Sequence, residues 1–153
     1  MQHDLFTSHW FNTPAPLTLE QLRGEDRRVV LVLAFQMLCP GCVSTAIPQL
    51  KKVHEIFDQR RLAVAGLHSV FEHHAAMTPI ALEAFLHEYR VKFPVAVDEA
   101  VPGSPIPRTM AAFEMQGTPT LLLFDRDGTL RLNHFGHLDD LALGALLGQV
   151  VAP

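Results

Sequence analysis

Cys39 and Cys42 are the only cysteines among the 153 residues, and only Pro40 and Gly41 separate them. Cysteines used this sparingly and placed this close together are typical of redox chemistry or metal binding, not of a framework of structural disulfides. Such a pair can exchange disulfides, because one thiolate attacks a partner disulfide and the other attacks the mixed disulfide and releases the partner. The spacing therefore predicts thiol–disulfide exchange, with no cofactor beyond a redox-active Cys39–Cys42 disulfide.

The position of the pair predicts which cysteine attacks. A continuous apolar, β-branched run over residues 29–35 reads as a buried strand, and a helical pattern follows the CPGC segment. The first turn of a helix carries unsatisfied N–H groups and partial positive charge, which stabilise a thiolate. We therefore expect Cys39, at the start of this helix, to be the more exposed nucleophile. Cys42, one turn further on, would attack the mixed disulfide.

The elements around the motif alternate between strands and helices. Strands are predicted over residues 29–35, 62–67, 93–97, 121–124 and 129–135, and helices over residues 17–22, 43–57, 78–89, 108–114 and 139–151. Pro48 is expected to kink the helix that follows the cysteines, because proline removes a backbone donor. Residues 1–17 show no clear period. The alternation implies a parallel sheet that ends in an antiparallel hairpin.

Three segments together resemble the thioredoxin superfamily, specifically its redoxin or TlpA-like branch. They are residues 35–42 (FQMLCPGC), 117–120 (GTPT) and 124–128 (FDRDG), and the similarity covers about residues 17–151. The resemblance implies one domain over residues 1–153 with an α/β thioredoxin-like fold, a central mixed sheet flanked by helices. It also implies an extra helix–strand insertion between the CxxC unit and the strand after Pro119, over residues 69–97.

The same resemblance assigns a substrate groove to Thr118 and Pro119. In this family the matching proline is cis and lies against the CxxC motif. The backbone beside it, here that of Thr118, pairs with the substrate polypeptide as an added strand. The expected partner is therefore a protein disulfide or dithiol.

Three positions depart from the family pattern, and two of them lack its usual acid–base helpers. Thioredoxin carries Trp before the first cysteine and a buried Asp on the preceding strand, where this chain has Leu38 and Leu33. Cytochrome-maturation relatives carry a Glu after the second cysteine, where this chain has Thr45. Another group must then manage the proton of the second cysteine.

A cluster of titratable residues after the second predicted strand could supply that group. If this strand ends at the same sheet edge as the CxxC motif, then His68, Glu72, His73 and His74 emerge near it. A histidine could accept and return a proton near neutral pH. The alternatives are a solvated loop, polar because it is a loop, and a metal-binding cluster.

Two other functions compete with disulfide exchange. The first is a peroxiredoxin-type peroxidase with Cys42 as the reactive cysteine. That chemistry needs a Thr three residues earlier and a nearby Arg, but this chain has Cys39 and the Thr118-Pro119 segment at those places. The second is a metal-delivery protein that uses Cys39, Cys42 and a histidine. A structural zinc site would need two more ligands and the chain has no second CxxC, so no metal is expected.

Charge and hydropathy exclude several classes of partner. The net charge is -4, and basic residues occur next to one another only in pairs, so neither nucleic acid nor an anionic membrane is an expected partner. No apolar run approaches the about 20 residues that a membrane span requires. The N-terminal residues lack a basic segment followed by an apolar stretch, so we expect no signal peptide and a cytoplasmic location.

Overall fold

The structure is a computed structural model that describes residues 3–153. One six-stranded sheet, in the order β1-β4-β3-β2-β5-β6, forms its centre. The strands are β1 (Thr7–Phe11), β2 (Val29–Phe35), β3 (Leu62–His68), β4 (Val95–Asp98), β5 (Thr120–Phe124) and β6 (Leu130–Phe135). The helices are α1 (Leu19–Arg23), α2 (Ile47–Ile56), α3 (Pro79–Glu88), α4 (Arg108–Ala112) and α5 (Asp140–Val151).

The sheet is mixed, as predicted. Strands β2, β3 and β4 are parallel, whereas β5 and β6 add to β2 as an antiparallel hairpin. Every residue of β2 and β3 is buried, because apolar residues cover both faces of the sheet. Leu50, Leu82 and Leu147 from α2, α3 and α5 belong to the apolar layer on one face. Leu22 and Phe113 belong to the layer on the other.

The expected insertion is present as α3 and β4, which lie between β3 and β5 along the chain. Thr78 begins the helix as predicted, because its side chain accepts the N–H of Ala81. Parallel pairing places Phe35 opposite His68, so β2 and β3 end at the same edge of the sheet. This edge holds the cysteines.

The N-terminal strand β1 was not predicted from the sequence. It pairs antiparallel with β4 at the edge of the sheet, with Trp10 opposite Ala96. After β1 the chain turns at Asn12, whose backbone adopts a left-handed conformation with φ 62°. The side-chain amide of Asn12 donates to the carbonyls of Val91 and Phe93. Pairing to a distant strand and these long-range hydrogen bonds hold the segment.

The helix after the cysteines contains a π-helical turn over Cys42–Ala46, directly before α2. The N–H of Ile47 donates to the carbonyl of Cys42, a wider ring than that of an α-helix. Pro48 follows, has no N–H, and would crowd the carbonyl of Ser44 in a regular α-helix. The expected irregularity therefore takes the form of a widened turn at Cys42. No helix in residues 3–153 has both the length and the apolar character that crossing a membrane requires.

Candidate active site

The two cysteines lie in the first helical turn after β2. The N–H of Cys39 donates to the carbonyl of Gln36 (3.1 Å), and the carbonyl of Cys39 accepts the N–H of Val43 (3.1 Å). The sulfur of Cys39 accepts the N–H of Cys42 at 3.3 Å and donates to the carbonyl of Thr118 at 3.5 Å. The Cys39 sulfur is thus hydrogen-bonded both to an N–H in the first helical turn and to the carbonyl of the residue before Pro119.

The environments of the two thiols differ. Cys39 is partly exposed, whereas Cys42 is 0% exposed. Burial, with a further contribution from the neighbouring Cys39, raises the pKa of the Cys42 thiol to about 12. The Gln36 backbone and the Thr118 side chain lower this pKa and so act in the opposite direction. Cys42 is therefore protonated at neutral pH, and access from solvent favours attack by Cys39.

The Thr118–Pro119 peptide bond is cis, as the family resemblance implied. Pro119 is buried against the motif, since a Cβ added to Gly41 would lie 3.8 Å from its Cδ. The carbonyl of Pro119 accepts the N–H of Gly136 at 2.8 Å, which fixes the segment against the end of β6. Thr118 and Pro119 thus lie beside the cysteines, where a substrate groove was predicted.

Gln36 is a part of the site that the sequence analysis missed. It follows β2 directly and is 1% exposed. Its Oε1 accepts the N–H of Phe71 at 3.1 Å, and its Nε2 donates to Oγ1 of Thr118 at 3.4 Å. Its carbonyl accepts the N–H of Cys39. A polar residue at the end of a continuous apolar strand was the signal that could have pointed to it.

His68 ends β3 beside the motif but is already hydrogen-bonded. Its Nε2 accepts the N–H of Met37 at 3.2 Å, and its ring centroid lies 5.2 Å from that of Phe35. The side chain is buried, and burial lowers its pKa to about 4. The imidazole is therefore neutral at physiological pH. Its Nε2 lone pair is occupied by the N–H of Met37, two residues before Cys39.

The other three candidates lie in the exposed loop that follows. Nε2 of His74 contacts the carbonyl of Pro105 at 3.1 Å, and His73 adopts a left-handed conformation with φ 49°. Within the described part of the chain, neither histidine nor Glu72 forms a hydrogen bond to residues 39–42. Their acid–base role stays a prediction. In residues 3–153 no group of three His, Cys, Asp or Glu side chains could hold a metal ion.

Known proteins resemble this chain in sequence and in structure. Residues 11–133 match the AhpC/TSA family. A crystal structure of a thioredoxin-like superfamily protein is 52% identical, with a TM-score of 0.93 over 99% of this chain and 96% of that one. A thiol-disulfide isomerase from Corynebacterium glutamicum is 46% identical, with a TM-score of 0.89 over 97% of this chain and 94% of that one.

A more distant structure, a thioredoxin-like protein in the oxidized form, shares the fold at 23% identity, with a TM-score of 0.75 over 96% of this chain and 90% of that one. Comparison with curated proteins gives no match. The family match spans most of the sequence, and the two more similar structures cover nearly the whole of it. The chain therefore belongs to the AhpC/TSA family and is a thioredoxin-like oxidoreductase of the redoxin branch.

Proposed function

We propose that the chain exchanges a disulfide between Cys39 and Cys42 and a protein partner. The observation that carries the proposal is the pairing of a partly exposed sulfur with a buried one. The Cys39 sulfur accepts the N–H of Cys42 at 3.3 Å, and this hydrogen bond stabilises its thiolate. The buried Cys42 acts in the second step, in which it attacks the mixed disulfide.

In the direction that reduces the partner, the Cys39 thiolate attacks one sulfur of the partner disulfide. The partner S–S bond breaks, and the departing sulfur takes the electron pair and a proton from water. The Cys42 thiolate then attacks the Cys39 sulfur, which releases the second partner sulfur in the same way. The partner gains two electrons and two protons, and the two cysteines become a disulfide. The reverse sequence oxidises a partner dithiol.

Thr118 and Pro119 are the proposed substrate-binding residues. The Thr118 carbonyl accepts from the Cys39 thiol in the reduced protein. Once Cys39 is joined to a partner it no longer carries that hydrogen, so the carbonyl becomes available to a backbone N–H of the partner. Leu38 and Phe135 are 57% and 48% exposed, which offers apolar contact to a polypeptide at this edge.

Trapping of the mixed disulfide tests the proposal. In Cys42→Ser, the second attack cannot occur, so a covalent complex with a disulfide-containing protein should accumulate and dissolve on addition of a reducing agent. Cys39→Ser is the matched control and should trap nothing. Equal trapping by both variants, or by neither, would overturn the proposal.

A peroxidase is the second candidate function, because the AhpC/TSA family also covers peroxidases. The site argues against it in two respects. Cys42 is fully buried with a pKa raised to about 12, whereas attack on a peroxide requires an accessible thiolate. The Thr and Arg that would hold the peroxide are replaced by Cys39 and the Thr118-Pro119 segment. Hydrogen peroxide consumption that depends on Cys42 but not on Cys39 would reverse this ranking.

A further inference from the structure

Gln36 joins three segments of the active site through hydrogen bonds. Its side chain is 1% exposed, and both ends of its amide have a partner. Oε1 accepts the N–H of Phe71 at 3.1 Å, and Nε2 donates to Oγ1 of Thr118 at 3.4 Å. The backbone carbonyl of Gln36 accepts the N–H of Cys39 at 3.1 Å. The exchange reaction described above gives the Gln36 side chain no role.

The direction of the two side-chain hydrogen bonds is fixed by a backbone group. The N–H of Phe71 can only donate, so the atom of Gln36 that faces it is the carbonyl oxygen Oε1. The other end of the amide faces Thr118 and is then the NH₂ group, which can only donate. Gln36 therefore presents a donor to the Thr118 hydroxyl, and turning the amide over would break the contact with Phe71.

The Gln36 amide is anchored on the β3 side of the motif. The N–H of Ser69 donates to the carbonyl of Phe35 at 3.0 Å, which ties the loop that carries Phe71 to the end of β2. In the sheet β2 lies between β3 and β5, and Thr118 directly precedes the strand pair on the β5 side. The side chain thus reaches from a fixed backbone across the motif to the proposed substrate-binding segment.

Gln36, Cys39 and Thr118 form a closed ring of contacts. The Gln36 carbonyl accepts the Cys39 N–H, the Cys39 thiol donates to the Thr118 carbonyl at 3.5 Å, and the Thr118 hydroxyl accepts from Nε2 of Gln36. The thiol contact is lost when Cys39 enters the mixed disulfide, because its sulfur then carries no hydrogen. The contact between the Gln36 amide and the Thr118 hydroxyl does not depend on that hydrogen and persists through this step.

We propose that Gln36 is a positioning residue that holds Thr118 beside the cysteines while the Thr118 carbonyl accepts a backbone N–H of the partner polypeptide. The inference rests on the proposed exchange function and deepens its substrate-binding step. The chemistry is unchanged: the Cys39 thiolate forms a bond to one partner sulfur, and the other leaves with the electron pair and takes a proton from water. The Gln36 side chain acts only through Thr118.

The consequence is a preference for partners that offer a backbone N–H beside their cysteines. A peptide disulfide can donate such an N–H to the Thr118 carbonyl, whereas the same peptide N-methylated on the residues that flank its cysteines cannot. Gln36→Met keeps nearly the same length but offers neither an acceptor to Phe71 nor a donor to Thr118. In this variant Thr118 is held less firmly, and the advantage of the peptide with free N–H groups is lost.

The experiment compares the rates at which the reduced protein reduces the two peptides, each divided by the rate of the same peptide with dithiothreitol. In the wild type, we expect the unmethylated peptide to be reduced about fivefold faster at sub-saturating concentration, the effect of one hydrogen bond. In Gln36→Met this ratio should fall towards one. General damage to the fold would slow both peptides alike and leave the ratio unchanged, and an unchanged ratio in Gln36→Met would overturn the inference.

Thr118→Val removes the hydroxyl that accepts from Gln36 and leaves the backbone carbonyl in place. It should lower the ratio as Gln36→Met does, and the double variant should show no further fall, because both changes remove the same contact. Thr118→Ser keeps a hydroxyl and should show a ratio closer to that of the wild type. A further fall in the double variant would overturn the inference.

Gln49→Met is the matched control, because Gln49 is also buried and its amide donates to the Leu138 carbonyl and to Asp140, away from the cysteines along the sheet. This variant should keep the wild-type ratio, and a ratio that falls as in Gln36→Met would overturn the inference. Equal reduction of the two peptides by the wild type would overturn it as well, because Thr118 would then give the partner N–H no advantage. A wild type that reduces neither peptide would instead overturn the proposed exchange function.

Discussion

The backbone N–H of Met37 donates to Nε2 of His68 across 3.2 Å, from the loop that follows β2 to the end of β3. This contact fixes the tautomer, because the acceptor nitrogen carries no hydrogen and Nδ1 must carry it. Met37 lies two residues before Cys39, so the imidazole holds the chain that leads into the active site. A protonated ring could not accept this hydrogen bond.

The burial of His68 predicts a loss of stability as the pH falls from about 6.5 to about 4. In this window the unfolded chain binds a proton at His68 that the folded chain does not, because burial lowers the folded pKa to about 4. The His68 contribution to stability therefore rises with pH through the window and levels off above it, while Asp98, whose pKa burial raises, contributes with the opposite sign in the wild type and in His68 variants alike. The loss at the acidic end is about 3 kcal/mol, and urea unfolding at several pH values measures it.

His68→Gln should show a flatter profile between these pH values. Asp58, Asp125 and Asp140, whose pKa values are lowered in the folded protein, add their loss mainly below pH 4 and do so in both proteins. The same pH slope in His68→Gln and in the wild type would show that another group carries the effect.

Asp98 anchors α4 to the sheet, and its removal should destabilise the fold. Its carboxylate accepts the N–H groups of Thr109 (2.7 Å) and Met110 (3.0 Å) and the hydroxyl of Ser69 (2.9 Å). Asp98→Ala leaves buried donors without acceptors, which costs about 2–4 kcal/mol. Asp127→Ala, which removes only an exposed ion pair, should change the free energy of unfolding by less than about 0.5 kcal/mol. Similar losses in both variants would contradict the anchoring role.

Local patterns in the sequence predicted most of the scaffold. The apolar run of β2 could be read directly, because both of its faces are buried. The N-cap Thr78 and the turn at Gly128, with φ 82°, follow from residue types alone. Strand β1 could not be found in this way, since its residues are half exposed and only the pairing with β4 holds them in a strand.

The active site was predictable only to the extent that residue spacing defines it. The spacing identified Cys39 and Cys42, and the family pattern identified Thr118 and Pro119. The place of Gln36 in the site could not be predicted, because its side chain contacts Phe71 and Thr118, which lie 35 and 82 residues away along the chain. Contacts between residues so far apart produce no periodic pattern in the sequence. For the same reason, the sequence placed His68 near the motif but could not show that Met37 occupies its lone pair.

Gly66 in β3 should not tolerate a side chain. A Cβ at this position would lie 3.1 Å from Cε1 of Phe35 and 3.2 Å from Cγ2 of Val95. Gly66→Ala therefore overpacks the core and should lower the free energy of unfolding by about 1–3 kcal/mol. Gly148→Ala on α5 is the matched control, because nothing lies within 4 Å of its added Cβ. It should stabilise the helix by about 0.5–1 kcal/mol, and a loss as large as that of Gly66→Ala would contradict the packing argument.

Cys39 should be alkylated far faster than Cys42 at neutral pH. Cys42 is 0% exposed, and with a pKa of about 12 its thiolate fraction at pH 7 is roughly 10⁻⁵. Cys42→Ser should therefore react readily with iodoacetamide through Cys39, whereas Cys39→Ser should react at least about a hundredfold more slowly. Mass spectrometry of quenched samples measures both rates.

The pH dependence of these rates separates access from ionisation. Replacing Cys39 removes one neighbour that raises the Cys42 pKa, but burial is the larger cause and remains in Cys39→Ser. The alkylation rate of that variant should therefore keep rising with pH above 9, because the Cys42 thiolate is still forming there. Denaturant should abolish the difference between the variants, since both thiols then meet solvent. If Cys42 reacts faster than Cys39 in the folded protein at neutral pH, the two cysteines have the opposite roles.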